Sequence, residues 1–170
     1  NGIPRFLYIS SISFYDWEFA GNEPVNEEHA LSIQTHYGKS KYEGEQLVVA
    51  SSLDWRVIRL ATVFGDGDRA NFSRMTRGMK RRLFIVPGSG GARKSIIPVE
   101  VAAERIARFA LMDQVPHRLI NLALPDVPNL AEICDAFHVV CGLPRAPRVP
   151  LPLARGLGLC GDLVAKLFGR

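Results

Sequence analysis

Arg5-Phe-Leu-Tyr-Ile-Ser10 and Trp55-Arg-Val-Ile-Arg-Leu60 are two short apolar runs rich in β-forming residues, and what separates them decides the fold. Neither has the regular alternation of a half-exposed strand, so both are predicted to be strands covered on both faces, as in a parallel sheet. Between them, residues 35–52 place Tyr37, Lys41, Gly44 with Glu45, and Val48 at helical spacing. Leu47, Val48 and Ala50 add an apolar side to the predicted helix. Strand, helix, strand is a βαβ unit, which implies parallel pairing through a right-handed crossover. Residues 14–34 turn polar, with Asn22, Pro24 and Glu27-Glu28-His29, and are predicted to be a long loop. Loops of that length inside compact domains usually serve a function.

Working outward, Gly65-Asp-Gly-Asp68 is a turn and residues 70–82 a helix that ends before Phe84-Ile-Val-Pro87. Gly88-Ser-Gly-Gly91 is a second turn leading to a short strand, Ser95-Ile-Ile97. Residues 99–112 form an amphipathic helix with Val101, Ala102, Ile106, Phe109 and Ala110 inward. Arg118-Leu-Ile-Asn-Leu122 is a strand, and Asn129 is an N-cap for a helix to Cys141. The Pro-rich stretch 144–152 is an extended link to a last helix over 153–168.

A chain of 170 residues that is 47% hydrophobic and 22% charged is long enough and apolar enough for a buried core. The net charge of +4 is spread along the chain except at Arg74, Arg77, Lys80, Arg81 and Arg82, so a solvated helix face is expected there and no nucleic-acid partner. Cys134, Cys141 and Cys160 have no metal-ligand spacing and are expected to be buried thiols in a reducing, cytoplasmic setting. His29, His36, His117 and His138 share no spacing that suggests a metal site. The apolar C-terminal stretch is broken by Arg155, Asp162 and Lys166, so no membrane span is expected. A first residue of Asn1 followed almost at once by a strand suggests that an upstream part is missing.

Tyr37 and Lys41 stand four apart on a helix, which puts both on one face with Cβ atoms about 5–6 Å apart. A phenol has a pKa of about 10, and a cation beside it favours the phenolate, so such a pair can move a proton to or from a hydroxyl. Ser10, Ser11 and Ser13 lie at the end of a parallel strand, where ligands bind in open α/β sheets. Read alone, Ser10 and Ser13 are strand-end capping hydroxyls.

Three stretches then occur in order: Phe6-Leu-Tyr-Ile-Ser-Ser-Ile-Ser-Phe-Tyr15, Tyr37-Gly-Lys-Ser-Lys41-Tyr-Glu-Gly-Glu45 and Val57-Ile-Arg-Leu-Ala-Thr-Val-Phe-Gly65. With Ile97-Pro-Val-Glu-Val-Ala102 they resemble the extended short-chain dehydrogenase/reductases of the NAD-dependent epimerase/dehydratase family. The resemblance implies an α/β fold, the C-terminal part of a doubly wound Rossmann-like parallel sheet with a small α/β substrate-binding lobe. Residues 1–64 would be the second half of the dinucleotide-binding domain and 65–170 mainly the substrate lobe, with 95–122 returning to the sheet.

The same resemblance makes Tyr37 the general acid/base, Lys41 the group that holds the ribose and tunes Tyr37, and Ser11 the hydroxyl that orients the reacting oxygen. Ser10 and Leu60-Ala61-Thr62-Val63 join Tyr37 and Lys41 on the cofactor side; Ser11, Ser13, Asn71 and Arg81 face substrate. The implied cofactor is NAD or NADP, and the implied substrate a hydroxyl-bearing small molecule such as a nucleotide-sugar, in an epimerase, dehydratase or reductase reaction.

Pro98, Glu100 and Asp16 depart from the family pattern, and Pro98 removes a side chain and a backbone donor. The sequence also has no Gly-x-x-Gly-x-x-Gly turn to receive a pyrophosphate at a helix N-terminus. The chain alone is therefore expected to be inactive and, with an open sheet edge, to form a homodimer. A non-catalytic NAD(P)-sensing or scaffold protein of the same fold is the alternative.

Overall fold

A computed structural model describes residues 5–17, 23–69 and 71–156, which divide into two compact units. The first unit comprises residues 1–66 and 95–126, and the second 67–94 and 127–170. No helix among the described residues is long and apolar enough to cross a membrane.

The first unit is built on β1 (Phe6–Ser11), β2 (Trp55–Leu60) and β6 (Leu119–Leu122), hydrogen-bonded in the order β1-β2-β6 with both pairings parallel. Helix α1 (His36–Val49) makes the crossover from β1 to β2, starting at Thr35, whose hydroxyl accepts from the Gly38 amide at 2.9 Å. Two short strands, β3 (Thr62–Phe64) and β5 (Ile96–Pro98), also pair in parallel, and α3 (Val99–Leu111) follows β5 directly.

Register places helices on both faces. In parallel strands the paired residues share a face, and successive residues alternate. Tyr8 and Arg59 reach α1, through Lys41 and Glu45 respectively. Three residues earlier in β2, and so on the opposite face, Arg56 donates to the Phe109 carbonyl of α3, and Leu60 and Leu122 pack with Val101, Ala102 and Ile106. This is the doubly wound α/β arrangement expected from the βαβ reading.

β2 is buried along nearly its whole length, but β1 only at its Ser10-Ser11 end, because β1 is the edge of this sheet among the described residues. The expectation that both strands are covered on both faces thus holds for β2 and is corrected for β1. The apolar side expected of the 35–52 helix needs correction at Leu47, which is 75% exposed. Inward contact on α1 comes instead from Gly38, Gly44 and Glu45.

The second unit contains α2 (Asn71–Lys80), α4 (Leu130–Cys141) and the parallel pair β4 (Val86–Pro87) and β7 (Arg148–Val149). Phe72, Met75 and Met79 point inward from α2, leaving Arg74, Arg77, Lys80, Arg81 and Arg82 exposed. Asn129 caps α4 in a reciprocal arrangement, its side chain accepting from the Glu132 amide at 2.9 Å while Glu132 accepts from the Asn129 amide at 2.8 Å. β7 lies within the stretch expected to be an extended link, paired there with β4. Helical structure resumes at 151–156; the rest of the helix expected over 153–168 lies outside the described residues. Cys134 is buried as expected, whereas Cys141 is exposed, because the end of α4 carries little over it; Cys160 is outside the described residues.

Candidate functional site

The carboxyl end of β1 collects most of the candidate residues of the first unit. Ser11 ends the strand and caps a single 3₁₀ turn over Ile12–Phe14, its Oγ accepting from the Ser13 amide at 3.1 Å. Ser13 is exposed. A Cβ placed on Gly38 would lie 3.7 Å from both Ser13 Oγ and Phe14 Cβ, so α1 rests on this turn one residue after Tyr37. Ser10 is 2% exposed, and its Oγ has no hydrogen-bond partner among the described residues. A buried hydroxyl without a partner is costly.

Tyr37 sits in the first turn of α1 and is 59% exposed. One turn later, the Lys41 Nζ donates to the Ile9 carbonyl at 3.0 Å and lies 5.4 Å from the centroid of the Tyr8 ring. The Tyr8 hydroxyl in turn donates to the Lys41 carbonyl at 3.3 Å. Burial, followed by the Glu45 carboxylate and the Tyr37 phenol, pushes the Tyr8 hydroxyl above its ordinary pKa. Tyr8 fits only because residue 44 is glycine: a Cβ there would be 2.3 Å from the Tyr8 oxygen.

Tyr37, Lys41 and Glu45 form one stripe spaced by four residues, running from exposed to fully buried. Glu45 meets Arg59 of β2 at 2.7 Å through Nη2, and Arg59 Nε shares both carboxylate oxygens at 3.2 Å. Arg59 Nη1 donates to the Tyr15 hydroxyl at 2.8 Å and to the Glu27 carbonyl at 2.9 Å. Its guanidinium carbon lies 5.1 Å from the ring centroids of Phe14 and Tyr15. The Tyr15 hydroxyl then donates to Asn121 Oδ1 at 2.8 Å on β6, and the Asn121 amide donates to the Glu27 carboxylate. Burial raises the Tyr15 phenol above its ordinary pKa despite the opposing Arg59 hydrogen bond, so Tyr15 remains a donor at neutral pH.

Of the other candidates, Leu60 stands in register with Ser11 at the same sheet end, whereas Asn71 and Arg81 belong to the second unit. Leu60 ends β2 and Ala61 is buried directly after it, its amide donating to the Leu122 carbonyl at 3.0 Å; Thr62 and Val63 are half-buried in β3. Asn71 opens α2 and Arg81 follows it, both exposed in the second unit. Pro98 ends β5 and precedes the first turn of α3, where its lack of an amide proton costs nothing because the first helical amides have no partner in the helix. No metal-binding group of three or more side chains occurs among the described residues.

Sequence reasoning passed over Tyr8, Tyr15, Glu45, Arg59 and Asn121. A signal was present: two arginines, Arg56 and Arg59, interrupt a strand otherwise read as buried, and a buried charge requires a partner.

Residues 4–86 match the family model of the RmlD substrate binding domain. Over its whole length the chain is 23% identical to an N-acetyl-alpha-D-glucosaminyl-diphospho-ditrans,octacis-undecaprenol 4-epimerase of Escherichia coli O157:H7, covering 53% of it. It is likewise 25% identical over its whole length to a UDP-glucose 4-epimerase of Vibrio cholerae, covering 52% of that protein. The chain thus spans about half the length of the curated relatives it matches. Among solved structures, the Bordetella bronchiseptica enzyme WbmG in complex with NAD and UDP superposes with a TM-score of 0.72 at 19% identity, over 88% of this chain and 48% of that one. MoeE5 in complex with UDP-glucose and NAD gives a TM-score of 0.70 at 20% identity, over 88% and 52%. At such identities the superpositions establish a shared Rossmann-like fold.

Proposed function

Because this chain belongs to the extended short-chain dehydrogenase/reductases of the NAD-dependent epimerase/dehydratase family, we propose that the polypeptide carrying it oxidises and reduces a hydroxyl-bearing carbon of a nucleotide-sugar, leading to epimerisation or dehydration. One observation carries this reading: Tyr37 and Lys41 share a face of α1, and Lys41 Nζ is bonded to the Ile9 carbonyl beside the Ser10-Ser11 strand end. The position agrees with the rule that ligands of open α/β sheets bind beyond the carboxyl ends of strands.

In this reading Tyr37 is the general acid/base, exposed enough to meet a substrate hydroxyl. Ser11 donates to the oxygen that gains or loses the proton. Lys41 places its positive charge beside the phenol and offers its remaining ammonium protons to ribose hydroxyls. Ser10, with its unsatisfied buried oxygen, fits the cofactor side together with Leu60, Ala61, Thr62 and Val63, while Ser13, Asn71 and Arg81 serve the substrate. NAD or NADP, when bound, supplies hydride acceptance and return. Similarity to a UDP-glucose 4-epimerase, and to the fold of MoeE5 in complex with UDP-glucose and NAD, supports a nucleotide-sugar as substrate.

Residues 1–64 with 95–122 act as the cofactor-side domain and the rest of 65–170 as the substrate lobe. The sequence contains no Gly-x-x-Gly-x-x-Gly turn between a first strand and a helix to receive the pyrophosphate, so in this reading these 170 residues alone are inactive. A cytoplasmic setting and a homodimer complete the proposal. The test is NAD(P)-dependent turnover of UDP-sugars by the natural polypeptide and its Tyr37→Phe variant. Loss of about 10²–10⁴-fold is expected on removing the acid/base group; equal turnover rejects the assignment.

A further inference from the structure

We infer that Arg59 is a positioning residue for the proposed site, holding together the helix and the turn that carry its side chains and the loop that joins them. The inference rests on the reading of Tyr37 and Lys41 given above. Arg59 is 5% exposed, so it is shielded from bulk solvent. Four of its five N–H groups are engaged, and their acceptors belong to three different segments.

The first segment is α1. Glu45, 0% exposed, continues the stripe of Tyr37 and Lys41, so fixing Glu45 against β2 fixes the rotation of the helix about its axis. A turn of α1 away from this setting would carry Lys41 off the Ile9 carbonyl and Tyr37 off the strand end. The second segment is the turn after Ser11. Tyr15 closes that turn, its hydroxyl held between Arg59 and Asn121, so the Ser11–Ser13 backbone is tied to β2 and β6 at once. The third is the loop 23–35, which leads into α1 and is bound by Arg59 at the Glu27 carbonyl and by Asn121 at the Glu27 carboxylate and the Val25 carbonyl.

A guanidinium suits this task where an ammonium does not. Its planar fork serves a carboxylate and a phenol in fixed directions at once, and it lies over aromatic rings. Here Nε and Nη2 take the carboxylate, Nη1 takes the phenol, and Phe14 and Tyr15 supply the rings. Lysine keeps the charge and loses the fork.

The test uses the natural polypeptide carrying this sequence, with UDP-sugar turnover as readout and Tyr37→Phe as reference. Arg59→Lys and Tyr15→Phe are expected to lower kcat by about tenfold to a hundredfold, the range for displacing reacting groups by about an ångström, with little change in KM. Tyr15→Phe removes a single hydroxyl, so it decides the matter if Arg59→Lys does not fold. Unchanged kcat in folded Tyr15→Phe, alongside loss in Tyr37→Phe, overturns this inference and leaves the site intact. Full turnover by Tyr37→Phe overturns the site, and this inference with it.

Discussion

Arg59 of β2 and Glu45 of α1 face each other at 2.7 Å with side-chain exposures of 6% and 0%. A pair so placed has lost most of its hydration, and its members depend on each other. Removing one partner from a buried pair costs about 3–5 kcal/mol because the other charge remains buried, whereas replacing both by apolar groups is far cheaper. Glu45→Met is therefore expected to be strongly destabilised in urea unfolding. The double variant Glu45→Met/Arg59→Met is expected to lose less than the sum of the two single changes. Additive losses would show that the two side chains are energetically independent.

Gly44 and Tyr8 test how closely α1 lies on β1. Alanine at 44 gains about 1 kcal/mol of helix propensity, but its Cβ meets the Tyr8 oxygen at 2.3 Å and Cζ at 2.9 Å. Overpacking costs about 1–3 kcal/mol, so Gly44→Ala is expected to be net destabilising. In a Tyr8→Ala background the obstacle is gone and the same change is expected to stabilise. Thermal unfolding of the four proteins checks the reversal of sign.

Asp54, just before β2, accepts from Arg5 at 2.9 Å and from Arg118 at 3.3 Å. The Arg5 hydrogen bond is the main reason its carboxyl is held below the ordinary carboxylate pKa. A carboxylate depressed in the folded state adds stability above its unfolded pKa of about 3.9 and loses that contribution as pH falls through the folded value. The stability gap between the wild type and Asp54→Asn is thus expected to be full near neutral pH and to close below about pH 4. Urea unfolding across pH 2–7 measures it, and a gap independent of pH excludes the linkage.

The 170-residue chain is expected to bind NAD or NADP weakly or not at all, since its sequence offers the proposed ribose-side groups and no glycine-rich turn for the pyrophosphate. Isothermal calorimetry on this polypeptide decides the matter. Micromolar affinity would show that other residues supply the phosphate contacts.

Much of the fold was legible because periodicity and punctuation agreed. The boundaries of β2 and the Asn129 cap of α4 follow directly from residue type, since a continuous apolar run and an Asn-x-x-Glu box each have one natural structure. Leu47 was misread because an apolar residue on a helix says nothing about whether a neighbour reaches it. β7 was missed because Arg148-Val149 is too short to show alternation, and its strand character comes only from pairing with β4. Tyr37, Lys41 and Glu45 could be placed on one helix face by spacing, but nothing in the neighbourhoods of Glu45, Tyr15 or Asn121 points to Arg59 or to one another.

By itself, the order of residues determined that a βαβ unit exists, that its helix carries a tyrosine and a lysine on one face, and that serines end its first strand. These are properties of neighbours a few positions apart, governed by backbone periods of two and 3.6 residues. Tertiary structure alone decided that β1 is an edge, that Lys41 bonds to Ile9, and that Arg59 ties Glu45, Tyr15 and Glu27 into one buried network. Those depend on which charges lose water together, and desolvation is set by packing across 14 to 44 residues of chain.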